Sequence, residues 1–420
     1  MDTAGTAATA EARGLFGFWR VATPEARRAL VAAAMGWGLD AFDVMLYALV
    51  LAGLMRDLGM AKSTAGLLGS LTLVASALGG VLFGLVADRH GRTRALIGSI
   101  LIYSVFTGAC GLAQTILQLA VFRVLLGLGM GGEWASGATL VSETWPAEHR
   151  GKALGLVQSS WAVGYGAAAL VTWIVMPAWG WRAVFFVGVV PALFTAWILR
   201  RVEEPAIWRE RRKTASASER RFGDIFRGSM LPLTAAVTSM NAFTMFAWWG
   251  FNLWIPSYLQ LPPDQGGLGL GSYAMGLLVF MQVGMFFGYL TFGFVSDTLG
   301  RRRTYVIYLV AAALLILGYT ATRNPWVLLV LGPFVAFFGT GYFSGFGAVT
   351  AEIYPTEIRS TAQGFTYNIG RIASAVAPFV VGSLAQSNGF RMAFLVTAVA
   401  FALAAATWAF IPETRGRALE

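Results

Sequence analysis

The chain alternates between long apolar stretches and short segments rich in charge. The stretches Ala95–Phe122, Ala153–Trp181 and Met392–Pro412 contain no charged residue. Apolar runs of about 18 residues or more are typical of membrane-spanning helices. With Pro, Gly and charge as boundaries, the pattern predicts twelve spans of about 20–27 residues, long enough at about 1.5 Å per residue to cross about 30 Å of hydrocarbon. They centre near residues 40, 75, 104, 130, 164, 190, 243, 284, 313, 338, 372 and 401.

Composition supports a membrane protein over a soluble one. Of the 420 residues, 57% are hydrophobic and 12% are charged, whereas soluble domains carry about 45–50% apolar and about 25% charged residues. This hydrophobicity excludes a disordered chain, and the single Cys110 excludes a disulfide scaffold. We therefore predict an all-α polytopic membrane protein.

The basic residues define the predicted topology. Of the 31 Lys and Arg, 24 lie in connections on one side of the predicted membrane, 5 lie on the other, and Arg123 and Arg371 lie within spans. The positive-inside rule places both termini in the cytoplasm, as in a multi-pass protein of the inner membrane. Because topology explains the net charge of +10, nucleic acid is not an expected partner. No signal peptide is visible. The predicted organisation is a cytoplasmic N-terminal segment 1–27, a six-helix bundle 28–200, a cytoplasmic loop 201–228, a second bundle 229–412 and a cytoplasmic tail 413–420.

An internal repeat relates the two predicted bundles. Segment 84–92 (GLVADRHGR) recurs 209 residues later as 293–301 (GFVSDTLGR), and segment 143–150 (ETWPAEHR) recurs at the same offset as 352–359 (EIYPTEIR). Gly155 matches Gly364 at this offset too. Six spans separate the copies, so both have the same orientation. A parallel repeat of this kind is typical of transporters that bind substrate between the halves near mid-bilayer and work by alternating access.

The doubled Gly-x3-Asp-x2-Gly-Arg pattern resembles the loop signature of the major facilitator superfamily. The resemblance implies the major facilitator fold and a secondary active transporter. Segments 36–43 (GWGLDAFD), 129–134 (GMGGEW) and 367–371 (YNIGR) are similar to the sialate/lactate:proton symporter branch. That similarity implies proton-coupled import of a small organic anion. The chain lacks the extra central spans of known sialate carriers, which favours a small carboxylate over a sugar acid.

Five charged residues fall within predicted spans. A charge at mid-bilayer costs about 2.5–3.5 kcal/mol even on insertion scales, so each one needs a function or a partner. If each arginine pairs with one acid, one acid remains unpaired, and burial favours its neutral, protonated form. We predict Glu133 as the proton carrier, with the Asp40/Asp43 pair as the alternative. Permanent interhelical salt bridges are the structural alternative. The proton-coupling candidates are Glu133, Asp40, Asp43 and Arg123.

Arg371 is the predicted substrate-binding residue. The planar guanidinium matches a carboxylate in two-point geometry and stays charged in any environment. Asn368, one turn earlier on the same face, can add a neutral donor. In span 7, Asn241 and Asn252 interrupt an apolar stretch, and these amides bind either the substrate or a neighbouring helix. The substrate-binding candidates are Arg371, Asn368, Tyr367, Asn241 and Asn252.

The repeated motifs predict a gate at the cytoplasmic face. Gly84 permits close approach of helices, and Asp88 can cap a helix of the opposite half or pair with an arginine there. Such contacts would form when the cytoplasmic side closes and break when it opens, and static surface ion pairs are the alternative. The gating candidates are Gly84, Asp88, Gly91, Arg92, Glu143, Arg150, Gly293, Asp297, Gly300, Arg301, Glu352 and Arg359.

No phosphate-binding glycine loop, metal cluster or nucleophile triad is visible in the sequence. We therefore expect a transporter that is not an enzyme and uses no cofactor or metal. The leading prediction is a proton symporter that imports a lactate-like monocarboxylate and functions as a monomer. The alternatives are a symporter of aromatic or dicarboxylic acids or an anion exchanger, and then a sugar porter, a drug exporter or a non-transporting membrane receptor.

Overall fold

The computed structural model describes residue 19 and residues 22–145, 147–202, 225–226, 230–354 and 359–415. Every regular element in these ranges is a helix. The α-helices, numbered in chain order, are α1 (Pro24–Asp57), α2 (Lys62–His90), α3 (Arg92–Leu112), α4 (Ile116–Thr144), α5 (Ala147–Val187), α6 (Val190–Arg201), α7 (Met230–Gln260), α8 (Tyr273–Leu299), α9 (Arg301–Ala321), α10 (Pro325–Thr340), α11 (Phe346–Ile353), α12 (Arg359–Ser387) and α13 (Gly389–Thr407). Short 3-10 segments are Pro263–Gln265 and Gly341–Gly345.

The helices confirm the predicted all-α polytopic fold. Eleven described helical segments are long and apolar enough to cross a membrane. The longest, Lys152–Thr195, has 44 residues and would extend about 66 Å as one helix, about twice the hydrocarbon thickness. It breaks at Gly180, where φ is 72°, and so provides two crossings. The segment Gly341–Gly345 joins α10 and α11 into one crossing. The described chain thus makes twelve crossings, six before the central connection and six after it.

The backbone requires glycine at the motif positions between α2 and α3 and between α8 and α9. Gly91 has φ 111° and Gly300 has φ 98°, in the region of positive φ that L side chains rarely adopt. Each separates one long helix from the next without an intervening loop. The second glycine of the repeated motif therefore turns the chain in both halves.

Within each half, glycines bring helix backbones into contact. A Cβ on Gly164 of α5 would lie 1.7 Å from the carbonyl oxygen of Gly38 in α1. A Cβ on Gly284 of α8 would lie 1.9 Å from the carbonyl oxygen of Pro333 in α10. Membrane helices associate by such close packing because lipid supplies no hydrophobic force between them.

The two halves touch mainly along two helix pairs, α2 with α12 and α5 with α8, and α1 also contacts α7. A Cβ on Gly66 would lie 2.3 Å from the carbonyl oxygen of Pro378, and the amide of Phe379 donates to Ser70 Oγ at 3.2 Å. In the second pair, a Cβ on Gly166 would meet Gln282 at 3.6 Å.

The same helices diverge toward one end of the bundle, which we call the terminal face because α1 begins and α13 ends there. The other end is the far face. Gly84 lies 18 residues after Gly66, about five turns of 3.6 residues, so it shares the face of α2 that contacts α12. A Cβ on Gly84 would nevertheless meet no atom within 4 Å. The same holds for the three repeat-related glycines, which lie on the facing helices α5, α8 and α12: Gly155, Gly293 and Gly364. The structure is therefore closed at the far face and open at the terminal face.

We expect the glycines of α5 to differ sharply in their effect on stability. Gly164→Ala places a methyl group inside the backbone of α1 and should destabilise the fold by about 1–3 kcal/mol or more. The matched control Gly155→Ala fills open space and should keep or slightly raise stability, because alanine favours helix. Thermal unfolding of the two variants in detergent measures the difference. Equal losses would show that Gly164 is not a packing contact.

Candidate functional site

Three acids are buried in the first half of the molecule. Asp40 and Asp43 on α1 and Glu133 on α4 are each 1% exposed. Both carboxylate oxygens of Asp43 and of Glu133, and Oδ1 of Asp40, have no hydrogen-bond partner among the described residues. A buried carboxylate without donors is costly in its ionised form, whereas a protonated acid carries no net charge. The cluster is therefore suited to taking up and releasing protons.

Glycines make the space that these acids occupy. A Cβ on Gly36 of α1 would lie 2.5 Å from Glu133 Oε1, and a Cβ on Gly188 would lie 3.0 Å from Asp43 Oδ1. A larger residue at Gly36 would displace the Glu133 carboxyl group. The sequence motifs around Asp40 and Glu133 thus belong to one contact between α1 and α4.

Tyr103 of α3 lies close to all three acids and was not predicted from the sequence. Its side chain is fully buried, its hydroxyl has no hydrogen-bond partner among the described residues, and it interacts electrostatically with Asp43, Asp40 and Glu133. A phenolic hydroxyl can both donate and accept a hydrogen bond, so it can link acids that do not touch. A tyrosine in an apolar span gives no signal of this role, because the role depends on which helices are neighbours.

The sequence analysis considered one acidic partner for each arginine, but Arg123 pairs with no acid among the described residues. Its guanidinium carbon lies 4.1 Å from the ring centre of Tyr47, and its Nε and Nη1 have no hydrogen-bond partner in the part of the chain that the structure describes. Arg123 and Glu133 are ten residues apart on α4, which is about 15 Å along the helix axis. Arg123 therefore lies at a different depth from Glu133. A cation–π contact with Tyr47 stabilises its charge instead.

Arg371 lies at the contact between the halves. It is half-buried on α12, and its Nη2 donates a hydrogen bond to Ser76 Oγ of α2. It interacts electrostatically with Asp40. In the described part of the chain, no ion pair joins Arg371 to Asp40, Asp43 or Glu133. Its guanidinium thus keeps donors that no carboxylate of the described residues occupies.

The other predicted substrate residues divide into two groups. Tyr367 is half-buried near Arg371, and Asn368 is exposed while its Nδ2 donates to the carbonyl oxygen of Gly364 at 2.8 Å. Asn241 is buried against Gly370, and Asn252 Nδ2 contacts Met45 Sδ at 3.2 Å. The amide of Asn252 therefore makes a helix contact, whereas Asn241 packs through its Cβ and its Oδ1 has no hydrogen-bond partner among the described residues.

A row of tryptophans crosses between the halves. The ring centres of Trp37 on α1 and Trp161 on α5 are 4.7 Å apart, and those of Trp161 and Trp249 on α7 are 6.0 Å apart with the rings nearly perpendicular. Trp249 is half-buried. The sequence places these residues on three separate spans and so cannot show that their rings meet.

The second copy of the gate motif forms an ion-pair cluster within its own half. Arg301 binds Glu352 through Nη2 at 2.8 Å and Nε at 3.2 Å, and its Nη1 donates to Asp297. This two-point contact joins α9 to α11. The described contacts of Asp297 lie in the second half, whereas the sequence predicted contacts with the opposite half.

Glu413 completes this cluster and was not predicted as a site residue. Its carboxylate accepts from the backbone amides of Arg301 at 2.8 Å and Arg302 at 3.1 Å and so caps α9. Thr414 Oγ1 donates to Glu352 at 2.6 Å. Partial burial raises the pKa of Glu413, but four backbone N–H donors outweigh this effect and hold its pKa below the ordinary value. Residues after α13 thus stabilise the joint between α8 and α9.

The first copy of the motif is described only in part. Gly84 and Gly91 are described, as above. Its remaining gating side chains are not among those that the structure describes: Asp88, Arg92, Glu143 and Arg150. The same holds for Arg359 of the second copy.

Comparison with known proteins agrees with this architecture. The sequence profile described as Major Facilitator Superfamily matches residues 33–290 and 261–419. The chain is 33% identical to the "Cis,cis-muconate transport protein" of Acinetobacter baylyi over 86% of this chain and 88% of that protein. It is 32% identical to the "Probable 4-methylmuconolactone transporter" of Cupriavidus pinatubonensis over 97% of this chain and 95% of that protein.

A solved structure shares the fold. The xylose transporter XylE from Escherichia coli, in a partially occluded inward open conformation, matches with a TM-score of 0.75 and 18% identity over 94% of this chain and all of that chain. The twelve crossings, the sequence profile and the two relatives agree, and this chain belongs to the major facilitator superfamily of membrane transporters.

Proposed function

We propose that the protein imports a planar, unsaturated organic acid together with a proton. The observation that carries this proposal is Arg371, a half-buried arginine between the halves without a carboxylate partner among the described residues. A substrate carboxylate can take its free donors in two-point geometry. Binding there neutralises the positive charge of the guanidinium and the negative charge of the substrate together.

The aromatic rings between the halves favour an aromatic or unsaturated acid over the lactate-like acid that the sequence suggested first. The rings of Trp37, Trp161 and Trp249 offer flat apolar surfaces that cross between the halves. A planar substrate gains more from such surfaces than a small hydroxy acid does. The names of the muconate and methylmuconolactone carriers point to the same class of acid.

The three buried acids supply the coupled proton. Burial favours a protonated Asp40, and the positive charge of a free Arg371 opposes this effect in part. A substrate carboxylate on Arg371 cancels that opposition, so substrate binding favours protonation of the acid cluster. Glu133, Asp43 and the Tyr103 hydroxyl each interact electrostatically with Asp40 and so extend the cluster. The substrate anion and the proton then cross the membrane together.

The orientation of the protein in the membrane follows from the charge pattern. The excess of basic residues in the predicted connections on the terminal side makes that face cytoplasmic in the inner membrane. The structure then corresponds to the conformation open to the cytoplasm. Closing that side would bring α2 onto α12 and α5 onto α8 at their glycines. Asp88 and its neighbours outside the described residues, together with the Arg301 cluster, are the proposed gate.

Arg371→Lys tests the substrate site. The lysine keeps the charge but loses the planar two-point geometry, so uptake of labelled cis,cis-muconate or benzoate should fall about 10-fold or more. Arg391→Lys, an exposed arginine at the far face, is the matched control and should transport normally. Near-normal uptake by Arg371→Lys would reject the assignment.

Amide variants identify the proton carrier. Among Glu133→Gln, Asp40→Asn and Asp43→Asn, the variant that removes the carrier should lose uphill accumulation but keep counterflow, which moves no net proton. Tyr103→Phe keeps the ring and loses the hydroxyl, so it should slow proton-driven uptake while sparing counterflow. Vesicles with an imposed pH gradient measure both activities. If all three amide variants still accumulate substrate against its gradient, the acids do not couple transport to protons.

The open glycines test the closing motion. Gly155→Leu and Gly364→Leu should fold normally, because nothing lies within 4 Å of either position, but should block closure of the cytoplasmic side. Both uptake and counterflow would then be lost, since both need the outward-open state. Gly318→Leu is the matched control, because Gly318 is equally open but lies on α9, away from the two helix pairs that join the halves. Full counterflow in both interface variants would show that these helices do not meet.

A further inference from the structure

A cavity of about 670 Å³ lies at the closed far face, between the two halves. Its volume falls in the range of about 300–1,000 Å³ that is usual for small-molecule sites. None of its described lining residues is acidic, and its polar lining includes Arg56, Lys62, Gln260, Gln265 and Gln386. Methionine and leucine side chains provide apolar walls. The cavity is distinct from the Arg371 site, which lies at the middle of α12.

Lys62 connects the halves across this cavity. Its Nζ donates to the backbone carbonyl oxygen of Gln265 at 2.6 Å and lies 5.0 Å from the ring centre of Phe390. The next amide, that of Ser63, donates to Gln386 Oε1 at 3.1 Å. The first residues of α2 are thus bound to three separate positions of the second half. These contacts hold the far face closed.

Arg56 lines the same cavity but makes no described contact across it. Its Nε pairs with Asp57 Oδ1 of its own helix at 3.1 Å, and its side chain is 79% exposed. Lys62 is therefore the cation that faces the cavity without a described acidic partner, and its present acceptor is a neutral carbonyl oxygen.

We propose that this cavity is an outer binding site for organic carboxylates, in which Lys62 holds the carboxylate group and releases the Gln265 carbonyl oxygen to do so. An ammonium group binds a carboxylate more strongly than a neutral carbonyl. The anion therefore competes with a contact that closes the far face, and its binding favours opening on the side from which the substrate arrives. The inference uses the topology of the proposed function but not the Arg371 site.

The test measures opening of the far face directly. Ser70 lies between the halves against Phe379 and is 7% exposed, so Ser70→Cys, with the native Cys110 first replaced by Ser, reports opening to an impermeant thiol reagent. Benzoate is the probe and uncharged benzamide is its control. All measurements are made in an Arg371→Lys background as well, so that binding at the central site does not contribute.

We expect benzoate, and not benzamide, to increase labelling of Ser70→Cys in both backgrounds. Lys62→Met should raise the basal labelling about 5- to 30-fold, because a charge-assisted contact is lost, and should abolish the response to benzoate. Lys62→Gln serves as a second variant if Lys62→Met folds poorly. Arg391→Met is the matched control, because Arg391 is an exposed cation at the far face that does not line the cavity. This variant should keep the basal rate and the response.

Two results would overturn the proposal. One is a benzoate response that survives in both Lys62 variants. The other is a response that disappears in the Arg371→Lys background with Lys62 intact, since opening would then depend on the central site. Loss of transport in Arg371→Lys does not affect the labelling assay, and a failed Arg371 assignment leaves the Lys62 result unchanged. The two proposals can therefore fail separately.

Discussion

A charge in the hydrocarbon must be neutralised by a partner or by a proton, and this constraint governs the centre of the molecule. Asp40, Asp43 and Glu133 all belong to the first half, whereas Arg371 belongs to the second. No ion pair among these described residues crosses the interface, so neither group neutralises the other permanently. A substrate anion on Arg371 and a proton on the acids would complete the neutralisation from outside. Under the proposed function, uncompensated charges on separate halves favour joint transport of an anion and a proton.

Arg123 shows that burial alone does not assign a coupling role. It is as deeply buried as the acids, yet it lies over the Tyr47 ring, away from them. The aromatic face stabilises the guanidinium without a carboxylate partner among the described residues. Its charge can therefore stay constant through a transport cycle, in contrast with that of the acid cluster. Arg371, with a serine as its partner, can exchange that partner for a substrate at low cost.

The sequence predicts the architecture better than it predicts the site. The 209-residue offset relates Gly84 to Gly293 and Gly155 to Gly364, and all four lie on helices that face the opposite half. This could be predicted because a repeat and a helical period are properties of the sequence. The partners of Arg123, the place of Tyr103 and the tryptophan row could not. They depend on which helices become neighbours and at what depth, and a single sequence contains no measure of either.

Helix α2 connects the outer and central sites mechanically. Lys62 starts this helix and Ser76 lies 14 residues later, about 21 Å along the axis, so the two contacts with the second half are carried by one rigid element. Lys62 binds the Gln265 carbonyl oxygen, and Ser76 accepts from Arg371. Under the proposed mechanism, a carboxylate competes first for Lys62 and then for Arg371. The same anionic group therefore replaces both polar contacts in turn, and each replacement removes one restraint on the movement of α2 against α12.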